Sequence, residues 1–252
     1  MNTISCKGII LSSKDFKEKD KLVNVLTSDL GLIRVCVKGS AKQGSRNAAF
    51  TVPYMLCEFT LTVSHGFYYL KEASIIENNS NIILHLTSLV TAAHIAECLI
   101  DLSYDTPDAV HRYYELAVYA YYALAKAPED YLLIYSAFNW RLLTYAGNCI
   151  VYDDNDIDHN AVYKVSLEDG TLVKTDASAY DPDVLSGVEV SALNHFATCK
   201  INNLFTGNAS QRVLSDLKTF TTAYMSYQFD REYTALDVLD QGIIPSSAPG
   251  TA

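Results

Sequence analysis

Eight Lys and Arg side chains fall between positions 14 and 46: Lys14, Lys17, Lys19, Lys21, Arg34, Lys38, Lys42 and Arg46. Cations this dense neutralise phosphates, and beside a strand face that can stack bases they suit a nucleic-acid strand. Arg34 and Lys38 share a period-two face, and Lys42 and Arg46 continue from it into the next loop. Asp15, Glu18, Asp20 and Asp29 are interspersed, so an ordinary solvated face with balanced charge fits the same residues. Other constellations fall short of their chemistry. Gly39 to Gly44 has P-loop spacing, but Ser45 stands where a lysine must reach the β- and γ-phosphates, which leaves a flexible basic loop. Asp154, Asp156 and Asp158 open like a calcium loop, yet His159 replaces its turn glycine and Val165 its bidentate glutamate. His94 and Cys98 lie one helical turn apart as two zinc ligands would, with no second pair to complete the site. No G-x-S-x-G or H-E-x-x-H singles out a nucleophile or catalytic metal, and only a triad assembled in space stays open. The reading is therefore a binding protein, with no catalytic residue, cofactor or metal assigned.

The elements that must position the basic residues are short strands. Ser5–Leu11, Leu22–Thr27, Ile33–Lys38, Leu56–Val63 and Phe67–Ile76 carry period-two apolar patterns, with turns at Gly31 and at His65-Gly66. Residues 14–20 read as a charged connector. Five strands with the longest connection between the third and fourth predict a small barrel of the OB type over residues 1–80. From Ile82 the period becomes helical. One helix is expected through about Leu102, a second from Thr106-Pro107-Asp108 to Ala127, and a third from Pro128 to Gly147. An acidic insertion over about 148–188 contains a hairpin around Glu168-Asp169-Gly170. Two further helices, 189–205 and 210–229, complete a helical domain assigned to 81–242, and 243–252 reads as a flexible tail. The fold class is thus multidomain β plus α, a barrel followed by helices with a small inserted hairpin region.

Composition fits that division. The chain has 252 residues, 49% hydrophobic and 19% charged, enough to build a core and too apolar for general disorder. The net charge of −10 argues against an anionic partner, but it is unevenly spread. Residues 1–80 hold ten bases and seven acids, whereas 81–252 hold nine bases and twenty-two acids. Six dispersed cysteines without a C-x-x-C, and an N-terminus without a signal-peptide pattern, lead to a cytoplasmic expectation with reduced thiols. The apolar stretch 82–100 contains His85, His94 and Glu97 and reads as a buried helix, with no membrane association. Eighteen tyrosines, dense between Tyr104 and Tyr145, read as core and interface packing, with base stacking as the alternative.

The residues also resemble a known family. Gly8-Ile9-Ile10-Leu11, Phe16 through Val23, Leu26-Thr27 with Gly31, Val37-Lys38-Gly39-Ser40 with Ser45-Arg46, Pro53-Tyr54 and Leu70-Lys71-Glu72-Ala73 match in order and spacing the opening of the bacterial RecO recombination mediators. Phe138, Arg141-Leu142-Leu143 and Gly147 resemble that family's central helix. The resemblance implies an OB domain and a helical middle, usually with a zinc module. It also implies binding of single- and double-stranded DNA, annealing of complementary strands, and help to RecA on DNA coated with single-strand binding protein. RecR, RecF and the acidic C-terminal tail of single-strand binding protein are the implied partners. Two departures stand out. The zinc module commonly uses two C-x-x-C pairs, and residues 148–180 here contain only Cys149, so no zinc is expected. Where the family is often basic after its last helix, Arg231 stands among acids. The expected DNA-binding residues are Lys38, Lys42, Arg46 and Arg34, then Lys19, Lys21 and Lys71. Arg112 and Arg141 are candidates for an acidic peptide. A protein-interaction adaptor with weak or lost DNA binding is the second reading, favoured by the acidic residues 81–252.

Overall fold

The computed structural model describes residues 2–105, 110–149, 152–153, 156–176 and 181–233. Five strands, β1 Asn2–Phe16, β2 Asp20–Thr27, β3 Leu32–Val37, β4 Leu56–Ser64 and β5 Phe67–Glu77, close into a barrel in the order β1-β2-β3-β5-β4. All pairings are antiparallel except β3 with β5. This is the expected OB-type barrel. Two β-rich segments run longer than their apolar patterns. Lys14, Asp15 and Phe16 pair with Leu22, Lys21 and Asp20, so the charged run is the tip of a two-stranded arm and not a connector. A register shift between Ile10 and Ser12 interrupts the ladder at the base of that arm, and Lys17 turns the chain at φ 56°.

The alternation on each strand decides what each barrel face does. Ile10, Val23, Val25, Ile33, Val35, Val37, Cys57, Phe59 and Leu61 point inward and form the barrel's own core. Ile9, Leu11, Leu26 and Leu56 point outward, yet they are buried in a second core shared with the helices. Gly8 makes this closure possible, because a Cβ there would stand 2.5 Å from Val25 Cγ1 and 3.2 Å from the Leu26 carbonyl. The barrel is therefore docked on the helices through its β1 side and the β2–β3 turn, where Leu26 and Leu32 join the shared core, while Arg34, Lys38, Phe67 and Lys71 stay exposed.

A turn of 3-10 helix, Ser80–Leu84, leads to α1 Leu86–Asp105, α2 Val110–Lys126 and α3 Tyr131–Ala146. By length and composition Leu86–Ser103 could cross a membrane, but Ala92, His94, Ile95, Cys98 and Leu99 are fully buried in the fold. The expected start signal of α2 at 106–108 lies outside the described residues. As expected, α3 ends at Gly147 in a left-handed cap, φ 81°, whose N–H reaches back to Leu143 and Thr144. The insertion forms the expected hairpin, β6 Val162–Val165 with β7 Leu172–Thr175, plus a third strand, β8 Val184–Ser186, on the other side of β6. A capping box at Ser186 and Glu189 starts α4, Gly187–Thr198. That helix stops earlier than its apolar pattern, because Cys199 turns extended at ψ 160°. Ser210 then caps α5, Gln211–Phe229. The domain boundary at 242 and the tail at 243–252 lie outside the described residues.

Candidate nucleic-acid interface

The sheet register assembles the outward surface. Cross-strand neighbours point to the same side, and Asn24 lies opposite Arg34 while Leu22 lies opposite Cys36. On the other flank Val35 pairs with Tyr68 and Cys36 with Tyr69. Tyr68 and Leu70 pack on the barrel core, so Phe67, Tyr69 and Lys71 face outward. One step of the same parallel register sets Arg34 beside Phe67. A column of Arg34, Cys36 and Lys38 thus runs beside a column of Phe67, Tyr69 and Lys71. The Lys38 ammonium stands 4.6 Å from the centre of the Tyr69 ring. Lys71 sits where the pairing shifts between Thr60 and Leu61, which turns it outward at a bulge.

The segment after β3 is tied to this surface by hydrogen bonds and does not hang as the flexible loop its composition suggested. Gly39 N–H donates to Asp20 Oδ1 at 2.8 Å, and Ala41 N–H donates to the Lys19 carbonyl at 3.2 Å. Ser40 Oγ–H donates to the Val37 carbonyl at 2.8 Å, and Asn47 Nδ2–H donates to the Lys38 carbonyl at 3.2 Å. Ser45 caps the short 3-10 turn that begins at Arg46. These contacts bring Lys19, Lys38, Lys42 and Arg46, all exposed, to one end of the barrel. Asp20 is engaged in holding the loop, which removes part of its competition for cations. Lys21 is different, because it forms a 3.7 Å ion pair with Asp15 across the β1–β2 arm. Its charge is half-satisfied before any ligand arrives. At the arm's tip Lys17 lies 5.3 Å from the exposed Phe16 ring.

The two helical candidates are built differently. Arg112 is exposed on α2 with its guanidinium 5.6 Å from the Tyr145 ring, and Arg141 stands 5.6 Å from the same ring. Arg141 is only 5% exposed. Its Nε–H donates to the Phe196 carbonyl at 2.6 Å and its Nη2 to the Cys199 carbonyl at 2.7 Å. It therefore caps the C-terminal end of α4, where helix carbonyls lack partners and a cation is favoured. Arg231, after α5, pairs with Asp101 at 2.6 Å and reaches Glu97 at 4.0 Å, so its charge is used on α1.

Residue patterns that suggested metals resolve as packing. His94 and Cys98 are fully buried; the His94 ring hydrogen-bonds Asn139 Oδ1 at 2.7 Å, and burial lowers its pKa to about 4. In the insertion, Cys149 is the one cysteine, where a zinc module commonly uses four, and burial pushes its thiol up to about 12. The three-stranded sheet there is held by Tyr163, Val165 and Leu185 in the core and by Lys174–Asp158 and Lys164–Asp181 ion pairs. No group of three metal-ligating side chains occurs among the described residues. The donor set does not fit a zinc module.

Comparison with known proteins agrees with the barrel and extends beyond it. A family model described as Recombination protein O N terminal matches residues 1–79. A protein of Acetivibrio thermocellus named DNA repair protein RecO is 26% identical over 249 residues, covering 95% of this chain and 97% of its own. A protein of the same name from Caldicellulosiruptor bescii is 26% identical over 94% of this chain and 98% of its own. The chain is similar to the RecO family model in its barrel and to RecO proteins over nearly its whole length. RecO proteins are DNA repair and recombination proteins, and the match runs through barrel, helices and insertion alike. This chain presents Phe67 and Tyr69 beside the basic column, two residues that sequence reasoning did not assign to the site. The signal for them was present in the period-two pattern of β5, but which parity faces outward depends on pairing with β3.

Proposed function

We propose that the chain is a non-enzymatic mediator of recombinational DNA repair, acting in the cytoplasm at the nucleoid. It binds single- and double-stranded DNA through the β2–β3–β5 surface, anneals complementary strands, and assists RecA on DNA coated with single-strand binding protein. The observation that carries this is the convergence of exposed Lys19, Lys38, Lys42 and Arg46 at one barrel end, with Arg34 and Lys71 exposed on the neighbouring strands. Lysines and arginines neutralise phosphates without reading bases, so two strands are held close while their base edges stay free to pair. RecR, RecF and the acidic tail of single-strand binding protein are the partners, with Arg112 and the Tyr145 ring as the contact offered to an acidic peptide.

A salt series tests the reading. Lys38→Ala with Arg46→Ala removes two phosphate contacts and lowers the magnitude of the log K against log salt slope by about 2 on duplex DNA, with unchanged sequence preference. An unchanged slope removes both residues from the site. The adaptor reading rests on the 22 acids against nine bases in residues 81–252. It predicts retention of RecR and of the single-strand binding protein tail in pull-down by a protein with no DNA affinity at ~50 mM salt.

A further inference from the structure

Phe67 is 64% exposed, although it sits in a strand of a closed barrel. An aromatic ring left in water at the start of a hairpin strand contributes nothing to the core, and its neighbours are informative. Two residues on, Tyr69 shares its face. Arg34, Cys36 and Lys38 lie along the adjacent strand, with Lys38 resting on the Tyr69 ring. In an OB barrel the second and third strands and the loops joining strands one to two and four to five border the oligonucleotide groove. Phe67 opens the strand that follows the last of these loops and Phe16 ends the strand that leads into the first, and both rings are exposed.

We infer that Phe67 and Tyr69 form a base-stacking subsite that selects single-stranded over duplex DNA. The inference rests on the DNA-binding reading above and specifies which form of DNA the surface prefers. Residues two apart on a strand are separated by about 6.7 Å. That is about twice the 3.4 Å rise per nucleotide of a duplex strand. Bases locked in a duplex have both faces covered by their neighbours and cannot deliver one face to each ring. An extended single strand can place one base on Phe67 and the next on Tyr69, with its phosphates following Arg34 and Lys38. Phe67 is the leading platform because its ring is open. Tyr69 becomes available when Lys38 leaves the ring for a phosphate, so the lysine exchanges a cation–π contact for a charge-assisted one. Stacking tolerates any base, which is what a protein that anneals unrelated sequences requires.

The test uses the full chain, a mixed-sequence oligonucleotide carrying 2-aminopurine, and the matching duplex. Phe67→Ala lowers single-strand affinity about 5- to 150-fold, as expected from the measured range for one stacked base. It leaves duplex affinity and the salt slope unchanged and abolishes the 2-aminopurine quenching on binding. Phe67→Trp restores both affinity and quenching, whereas Phe67→Leu does not. Tyr69→Ala gives a smaller single-strand loss in the same direction. Equal losses on single strand and duplex, or full activity in Phe67→Leu, overturn stacking. An unchanged single-strand affinity in Phe67→Ala also overturns it, while a reduced slope in the Lys38/Arg46 variant leaves the phosphate-contact reading standing. Absence of DNA binding by the parent at ~50 mM salt overturns both.

Discussion

Arg141 is placed as a structural clamp and not as a partner contact, and its replacement makes the difference measurable. The guanidinium makes two short hydrogen bonds, to the carbonyls of Phe196 and Cys199, in an almost fully buried setting. Hydrogen bonds from a charged donor contribute about 1.5–3 kcal/mol each. Arg141→Ala leaves both carbonyls at the end of α4 without their donor, so a loss of about 3–5 kcal/mol is expected. With a urea dependence of ~2–3 kcal/mol per M, the unfolding midpoint falls by roughly 1–2 M. Arg141→Lys keeps the charge but cannot span two carbonyls with one planar fork, so it recovers less than half of the loss. Arg112→Ala, at an exposed position, leaves the stability within about 0.5 kcal/mol of the parent. The assay is urea unfolding followed by far-ultraviolet circular dichroism. A midpoint for Arg141→Ala equal to that of the parent would refute the clamp. Such a result, joined to lost binding of an acidic peptide, would return the side chain to the partner surface.

Two further predictions concern the fold that carries the site. His94 is neutral in the native state because burial lowers its pKa to about 4, while the unfolded chain takes its proton near 6.5. The unfolded state therefore binds more protons between those values, so stability is full above about pH 6.5 and declines as pH falls toward 4. The His94 share of that decline reaches about 3 kcal/mol. His94→Gln should flatten the curve of unfolding free energy against pH over this window; superimposable slopes would show that the histidine is not the titrating group. Gly8→Ala forces a methyl against Val25 inside the closed barrel. It should cost about 1–3 kcal/mol by overpacking. A thermal midpoint equal to the parent's would mean that the β1–β2 contact relaxes freely.

What could be read from the sequence was local. Period-two runs such as Ile33-Val35-Val37 must present one apolar face, and the barrel uses it as its core. Gly147 and the Asp169-Gly170 turn announced themselves because only a few residue types adopt those backbones easily. The missed features depend on distant partners. Residues 14–16 look like a connector until Leu22, Lys21 and Asp20 pair with them. The three residues of β8 are too few to show a period and exist as a strand only beside β6. Arg141 looks like a lone cation in an apolar helix, because the carbonyls it caps lie 55 and 58 residues further along the chain. The outward parity of β5 is set by two parallel pairs with β3, and no pattern within β5 states it.

On the proposed DNA-binding reading, the charge distribution gives an aromatic subsite a role on this barrel. If Lys19, Arg34, Lys38, Lys42, Arg46 and Lys71 each neutralise one phosphate of a single strand, the slope of log K against log salt is about −4. Raising salt from ~50 to ~150 mM then lowers affinity by roughly 100-fold. Lys21 adds little beyond this, because Asp15 already engages it. A surface with so few cations loses most of its grip at physiological ionic strength if charge is its only means. Stacking on Phe67 does not release counterions and is not screened, so its share of the binding energy grows as salt rises. On that reading the exposed ring compensates for the modest excess of bases over acids in residues 1–80. It does so only on unpaired bases, the state that strand annealing begins from.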